Sequence, residues 1–182
     1  MIRLYAPKIE DLWFREKILS DEKTMSYNRS WGGIIPFPQY QWKQWYSQWI
    51  ANKDNRYFYR YIQKDDKFVG EVAYRFDDKR GIYVASVIIY APYRGKGYGK
   101  IALTLLCEKA KDNGVKEIYD YIAIDNTAIK LFLNCGFKEE YKTAEYVMRI
   151  VARRLLLLCL YGVEDSVGKS YARHPAYRCL YR

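Results

Sequence analysis

Arg94-Gly95-Lys96-Gly97-Tyr98-Gly99 gathers three glycines and two cations in six residues. Before it runs an apolar, β-branched stretch containing Val84, Val87, Ile88 and Ile89, which suits a buried strand. Ala91-Pro92 ends that strand, because proline has no N–H to give to a ladder. Lys100 to Asp112 follows with helical patterning. A glycine-rich turn at a helix start aims several backbone N–H groups at one place. With the helix dipole behind them they form an anion site suited to a pyrophosphate. Glycine is required there because a side chain would block close approach of the phosphate. Arg94, Lys96 and Lys100 add positive charge. The spacing of Gly95, Gly97 and Gly99 does not make G-x-G-x-x-G, and the Walker ending Gly-Lys-Ser/Thr is absent. Taken alone, the segment reads equally as a basic surface turn.

Other residues narrow the chemistry. Glu71, in the run Val69-Gly70-Glu71-Val72, lies on a strand expected beside the loop-bearing one. A carboxylate there can take a proton directly or through water, or it can sit hydrogen-bonded on a face and only orient substrate. Tyr74, Tyr119 and Tyr121 are further polar candidates. His174 is the single histidine, which argues against a histidine metal site and against a histidine-based triad. Cys107, Cys135, Cys159 and Cys179 form no C-x-x-C pair and follow no signal peptide. Reduced thiols and a cytoplasmic location are expected.

Two motifs in order carry a resemblance. Arg94-x-x-Gly97-x-Gly99 stands after a strand and before a helix, and downstream come Asn126, Ala128, Leu131-Phe132 and Gly136-Phe137. Together they resemble the acetyl-CoA signature and second half of the GNAT N-acetyltransferases, most strongly from Phe68 to Phe137, with the flavour of the RimJ-type enzymes. The resemblance implies an α+β fold: a mixed, mostly antiparallel twisted sheet of six or seven strands flanked by about four helices. It implies acetyl-CoA as cosubstrate, no metal, and direct transfer to a primary amine of a small molecule or a protein N-terminus. By position it assigns the cofactor to Val87, Ile88, Ile89, Arg94, Gly95, Lys96, Gly97, Tyr98, Gly99, Lys100, Asn126 and Phe132. The Ile89 backbone N–H becomes the oxyanion donor, next to a bulge that splays two strands. Glu71 becomes the candidate base, and Trp31, Glu71 and Tyr74 border the acceptor. Phe132 departs from the family, which often has a tyrosine there as general acid. A thiol titrates near ~8.5, so a thiolate can leave without that acid. Cys135 reads as a small packing residue before Gly136.

The elements that must hold these residues are legible in outline. Ile2 to Tyr5 alternates as a strand, and Lys8 to Leu19 reads as a helix. Ser20 to Pro38 is a long irregular link. Gln39 to Asn52 reads as a second helix, with Trp42, Trp45, Tyr46 and Trp49 forming one aromatic stripe. The stripe packs on the sheet, or one end of it walls the acceptor pocket and meets an ammonium. Arg56 to Gln63 and Lys67 to Phe76 form a hairpin turning at Lys64-Asp65-Asp66. Ile82 to Tyr90 leads to the loop, and Glu117 to Ile124 is a further strand. Asn126 or Asp125 caps the helix that follows it. Phe137 to Lys142 and Glu145 to Val151 close as a hairpin.

The chain has 182 residues, half of them apolar, with 20 Tyr and 5 Trp. That is enough for one domain over 1–151 and a C-terminal extension over 152–182. The run Leu155 to Leu160 is too short to span a bilayer. It packs on the body or forms the seam of a homodimer. A net charge of +10 and a pI near 9.3 suit a polyanionic cofactor. They also admit nucleic acid, but no nucleic-acid motif is present, which argues against that partner. An acyl-CoA-binding module without turnover is the alternative that Phe132 keeps open.

Overall fold

The computed structural model describes residues 1–144 and the backbone of 146–152. The leucine run 155–160, Cys159, Cys179 and His174 lie outside the described residues, as does nearly all of the expected extension.

Short alternating segments build the sheet: β1 (Ile2–Tyr5), β2 (Tyr57–Lys64), β3 (Lys67–Asp77), β4 (Ile82–Ile89), β5 (Glu117–Ala123), β6 (Lys138–Lys142) and β7 (Tyr146–Ala152). Their order across the sheet is β1-β2-β3-β4-β5-β7-β6. Every pairing is antiparallel except the central one, β4 with β5. This is the mixed, mostly antiparallel sheet that the sequence predicts. β2 and β3 are joined by a two-residue turn in which Asp65 and Asp66 take φ of 45° and 62°. Aspartate tolerates this left-handed geometry, which matches the twist of a hairpin.

Four helices cover the two faces: α1 (Trp13–Ser20), α2 (Trp42–Trp49), α3 (Tyr98–Asp112) and α4 (Ile129–Asn134). Alternation along the strands sorts the core in two. Phe58, Val72, Tyr74 and Ala85 face Leu103 and Leu106 of α3 and Phe132 of α4. Tyr59, Tyr61, Ala73 and Ile88 face Leu12, Phe14, Ile18 and Phe37 on the α1–α2 side.

Both N-terminal helices are shorter than their apolar patterns suggest. Each is entered through a 3-10 turn, Ile9–Leu12 before α1 and Gln39–Gln41 before α2. At the first, the Asp11 carboxylate accepts the Lys8 N–H at 2.9 Å and tightens the start. The link expected to be irregular contains a 3-10 segment, Thr24–Trp31, stopped by Gly32 at φ 110°. The aromatic stripe of α2 packs on the sheet. Trp45 meets Tyr59 edge-on at 4.6 Å, and Trp49 meets Tyr57 at 5.2 Å.

The sheet opens in the middle. β4 and β5 pair only at Tyr83↔Ile118 and Val84↔Tyr119, then diverge. The opening does not come from the expected bulge, since β4 keeps an unbroken register with β3 from Gly70↔Ile89 to Asp77↔Ile82. The register shift in this half of the sheet lies between β1 and β3, at Ile62/Gln63 of β2.

Candidate active site

The divergence leaves one edge of β4 without a strand. Tyr90 N–H donates to Val69 O at 3.0 Å, so along an antiparallel ladder the amides of Ile88, Ser86 and Val84 also turn toward β3. The amides of Ile89, Val87 and Ala85 therefore turn the other way, and those of Ile89 and Val87 point into the gap. Gly70 makes this stretch of β4 possible. A Cβ there would sit 2.3 Å from the Ile88 carbonyl oxygen.

α3 begins at Tyr98, inside the glycine loop. The amides of Tyr98, Gly99 and Lys100 thus belong to its first turn, where no carbonyl lies one turn behind them. Gly95 and Gly97 have φ of 75° and 78°, and a Cβ built on either meets nothing within 4 Å. The loop is open on the side where a phosphate would approach, and its backbone takes a conformation that side chains resist. Gly99 serves packing instead, with Leu131 of α4 lying 3.0 Å from where its Cβ would be. Lys100 is exposed beside the loop, and Lys96 holds its ammonium 5.4 Å from the centre of the Tyr93 ring.

Arg94 uses its guanidinium as a strap. It donates to Ile89 O at 3.1 Å, to Lys23 O at 3.0 Å and to Thr24 O. The loop is tied in this way to the 3-10 segment Thr24–Trp31, and Ala91 N–H donates to Thr24 Oγ1 at 3.0 Å as a second tie.

A cleft of ≈ 540 Å³ runs through the gap. The loop and the start of α3 line it, as do Tyr27 and Trp31. Val87, Ile88 and Ile89 line one wall, with Asp120, Tyr121 and Asn126 opposite. Most residues singled out by sequence, from Trp31 to Phe132, therefore meet in one place. Asn126 caps the chain ahead of α4, its Oδ1 accepting the Ala128 N–H at 2.9 Å. Phe132 is buried against Phe137, with ring centres 5.0 Å apart, and it also lines the cleft.

Two expected residues stand elsewhere. Tyr74 faces α3, stacked on Phe58, and its hydroxyl accepts from Asn113 Nδ2 at 2.6 Å. It packs the core outside the cleft and also lines the small pocket described next. Glu71, the expected base, is 3 % exposed and lies on the α1–α2 face, outside the cleft. Both of its oxygens are engaged. Oε1 accepts from Arg15 Nη1 at 2.5 Å and Oε2 from the Tyr59 hydroxyl. Burial and the Glu71 charge push the Tyr59 phenol well above its ordinary value, so that phenol stays a donor. Glu71 lines instead a small pocket of ≈ 30 Å³ with Arg15, Trp45, Trp49 and Arg75. This pocket shares Val84, Ala85 and Ser86 with the cleft.

The residue that sequence reading passed over is Asp120. It lies on β5 in the open part of the gap, partly buried, with Oδ1 accepting the Tyr121 N–H at 2.7 Å. Burial raises its carboxyl well above the ordinary carboxylate range. A signal was present: Asp120 alternates with Ile118 and Ile122, so strand periodicity puts its carboxylate on the buried face. Among the described residues no group of three or more His, Cys, Asp or Glu side chains can hold a metal ion. No helix among them is long and apolar enough to cross a membrane.

Comparison with known proteins agrees with this geometry. Residues 16–137 match the acetyltransferase (GNAT) family. A 52-residue stretch is 42 % identical to the uncharacterized N-acetyltransferase YycN of Bacillus subtilis, and spans 33 % of that protein's length and 28 % of this chain. The fold is similar to that of spermidine N-acetyltransferase from Vibrio cholerae, solved with CoA and spermine. The TM-score is 0.71 at 18 % identity, over 86 % of this chain and 98 % of that one. It is also similar to a ribosomal-protein-alanine N-acetyltransferase from Brucella melitensis, with TM-score 0.65 at 20 % identity, over 84 % and 99 % of the two chains.

Proposed function

Since the chain belongs to the GNAT acetyltransferase family, we propose that it moves the acetyl group of acetyl-CoA to a primary amine, of a small molecule or a protein N-terminus, by direct attack in a ternary complex. The observation that carries this reading is the open edge of β4, whose Val87 and Ile89 amides face a cleft that ends at the first turn of α3.

In this reading the pyrophosphate rests on the amides of the glycine loop and of Tyr98 to Lys100, in the space that Gly95 and Gly97 leave clear. Lys96 and Lys100 add charge at its rim. Arg94 works at one remove, holding the loop rather than the phosphate. The thioester carbonyl lies beside the Ile89 N–H, which takes the charge that develops on its oxygen when the amine attacks. The C–N bond forms, the C–S bond breaks, and CoA leaves as thiolate, for which no phenol is needed at position 132.

The amine must lose a proton. We assign that proton to Asp120 rather than Glu71, because Asp120 lines the cleft, whereas both Glu71 oxygens are engaged outside it. Trp31 and Tyr27 close the acceptor end. Cys107 and Cys135 are buried, as thiols of a protein in a reducing, cytoplasmic setting would be.

A thermal-shift titration with acetyl-CoA, against ATP as control, tests the binding half. Ligand at a hundred times its Kd should add about 2.7 kcal/mol. Release of CoA thiol with a panel of amines tests the transfer half. Equal stabilisation by ATP, or thiol release no faster with amine than without, overturns the respective half.

A further inference from the structure

The small pocket on the α1–α2 side of the sheet differs in charge from what a polyamine would need. Two guanidiniums, Arg15 and Arg75, face one carboxylate, Glu71. That carboxylate is already neutralised by Arg15 and hydrogen-bonded by Tyr59. Arg15 is itself enclosed by aromatic rings, its guanidinium 4.5 Å from the centre of Trp45 and 5.1 Å from Phe37. It is held in place by that ion pair and by those rings.

Arg75 is not. The residue is partly exposed, its Nε is buried without a partner, and no hydrogen bond or ion pair of its guanidinium occurs among the described residues. A guanidinium left unpaired at the rim of a pocket is available for a bidentate, charge-assisted bond to a carboxylate. Trp49 helps to wall the pocket, and Ser86 belongs to both the pocket and the cleft. The space, ≈ 30 Å³, has room for a carboxylate but not for a bulky group. An ammonium entering here would meet a guanidinium with no free acid to offset it.

Resting on the acetyl-transfer reading above, we propose that this pocket is an acceptor subsite in which Arg75 binds a carboxylate, so that the acceptor is a short peptide or an extended amino acid rather than a polyamine. Position gives the reach. Arg75 pairs with Val84, five residues before Ile89 on β4, and a strand rises about 3.3 Å per residue, so the anion and the reacting amine lie about 16 Å apart. An extended peptide covers that span in roughly five residues. The amine sits in the gap, the backbone runs along β4, and the carboxylate ends at Arg75 beside Ser86.

The test is a ladder of oligo-alanine peptides, from the dipeptide to the heptapeptide, each made as free acid and as carboxamide. Two readings are taken on the full chain: CoA-thiol release with acetyl-CoA, and equilibrium binding of each peptide to the CoA-loaded protein. The free acid should be preferred by about tenfold near the pentapeptide and hexapeptide, as expected for one charge-assisted contact. The preference should be absent in the dipeptide, which is too short. Arg75→Gln should bring the acid-to-carboxamide ratio close to one at every length, and Arg75→Lys should restore part of it. An acid-to-carboxamide ratio near one in the unaltered chain, or a ratio that survives Arg75→Gln, overturns the subsite. Carboxamides turned over as well as acids would do so while leaving acetyl transfer intact. A binding preference with no thiol release would keep the subsite and overturn the transfer reading.

Discussion

Arg15 and Glu71 meet at 2.5 Å with both side chains 4 % exposed, 56 residues apart in the chain. Around them Tyr59 donates to the second carboxylate oxygen and Trp45 covers the guanidinium. A buried pair of this kind adds little net stability, because desolvation offsets much of its attraction, but it is expensive to break. It pins α1 to the middle of β3 and decides what lies on that face of the sheet.

Removing one partner should expose that cost. Arg15→Leu leaves a buried carboxylate with only Tyr59, and should destabilise the fold by about 3–5 kcal/mol. Glu71→Gln leaves the Arg15 guanidinium uncompensated too, but its one amide oxygen can still accept from Arg15 and its Nε2 can donate to a turned Tyr59 hydroxyl, so the loss should be smaller. Urea unfolding of the two variants measures the difference, and equal losses would mean that these neutral hydrogen bonds recover nothing.

Asp120 and Glu71 separate in their effect on rate. Asp120→Asn should lower kcat by a factor of about 10²–10⁴ and remove the acid limb of the pH–rate profile. Glu71→Gln should keep that limb. If the acid limb disappears with Glu71→Gln and persists with Asp120→Asn, the base is on β3.

Asp120 also links stability to pH. Burial raises its carboxyl in the folded chain, so the folded state holds a proton that the unfolded state releases in the ordinary carboxylate range. The stability this contributes is complete below that range and is lost as pH rises through the higher folded value. Asp120→Asn should therefore be more stable than the parent above that window, with the difference closing at low pH. Thermal midpoints from pH 4 to 8 (about the range in which carboxylates and histidine titrate) read it directly. A variant that stays less stable than the parent throughout would contradict the burial argument.

Two glycines should respond in opposite ways. Gly97→Val places a side chain in open space at φ 78°, so it should cost only about 1–2 kcal/mol of stability, yet block the phosphate seat and weaken acetyl-CoA at least tenfold. Gly70→Ala drives a Cβ to within 2.3 Å of the Ile88 carbonyl oxygen. It should distort β4 and cost about 1–3 kcal/mol or more. Calorimetric binding and unfolding of each variant distinguish the two outcomes.

Arg94→Lys should fail where charge alone would suffice. The guanidinium reaches the carbonyls of Lys23, Thr24 and Ile89 together, a fork that an ammonium cannot copy. Both Arg94→Lys and Arg94→Ala should raise KM for acetyl-CoA and for the amine, because the strap joins the cofactor loop to the acceptor wall. An effect on acetyl-CoA alone would point to direct contact with phosphate.

Much of this was legible in the chain. Asp65-Asp66 between two alternating runs reads as a tight hairpin, and the glycines from 95 to 99 read as an anion seat, because both signals are local. What distance in sequence hides is partnership. Nothing near Glu71 announces Arg15, and the cations flanking Gly95 do not reveal that Arg94 turns back to carbonyls at positions 23 and 24. The bulge expected in β4 is replaced by a divergence from β5 beyond two register pairs, which no local residue signal announces. Asp120 is readable from its alternation with two isoleucines, but a lone acid in a strand gives no sign of what it faces.

The narrow contact between β4 and β5 has a mechanical meaning. Two register pairs, Tyr83 with Ile118 and Val84 with Tyr119, are the whole spine between a four-stranded leaf and a three-stranded one. An open book of this kind flexes most at its fore-edge, where Val87 and Ile89 have no neighbour to hydrogen-bond. Their amides should exchange with solvent far faster than those of Ser86 and Ile88 on the same strand. An amide-bearing chain laid along that edge would serve as the missing rung, stiffening both leaves at once, so that occupancy of the cleft is felt as far away as β1 and β6.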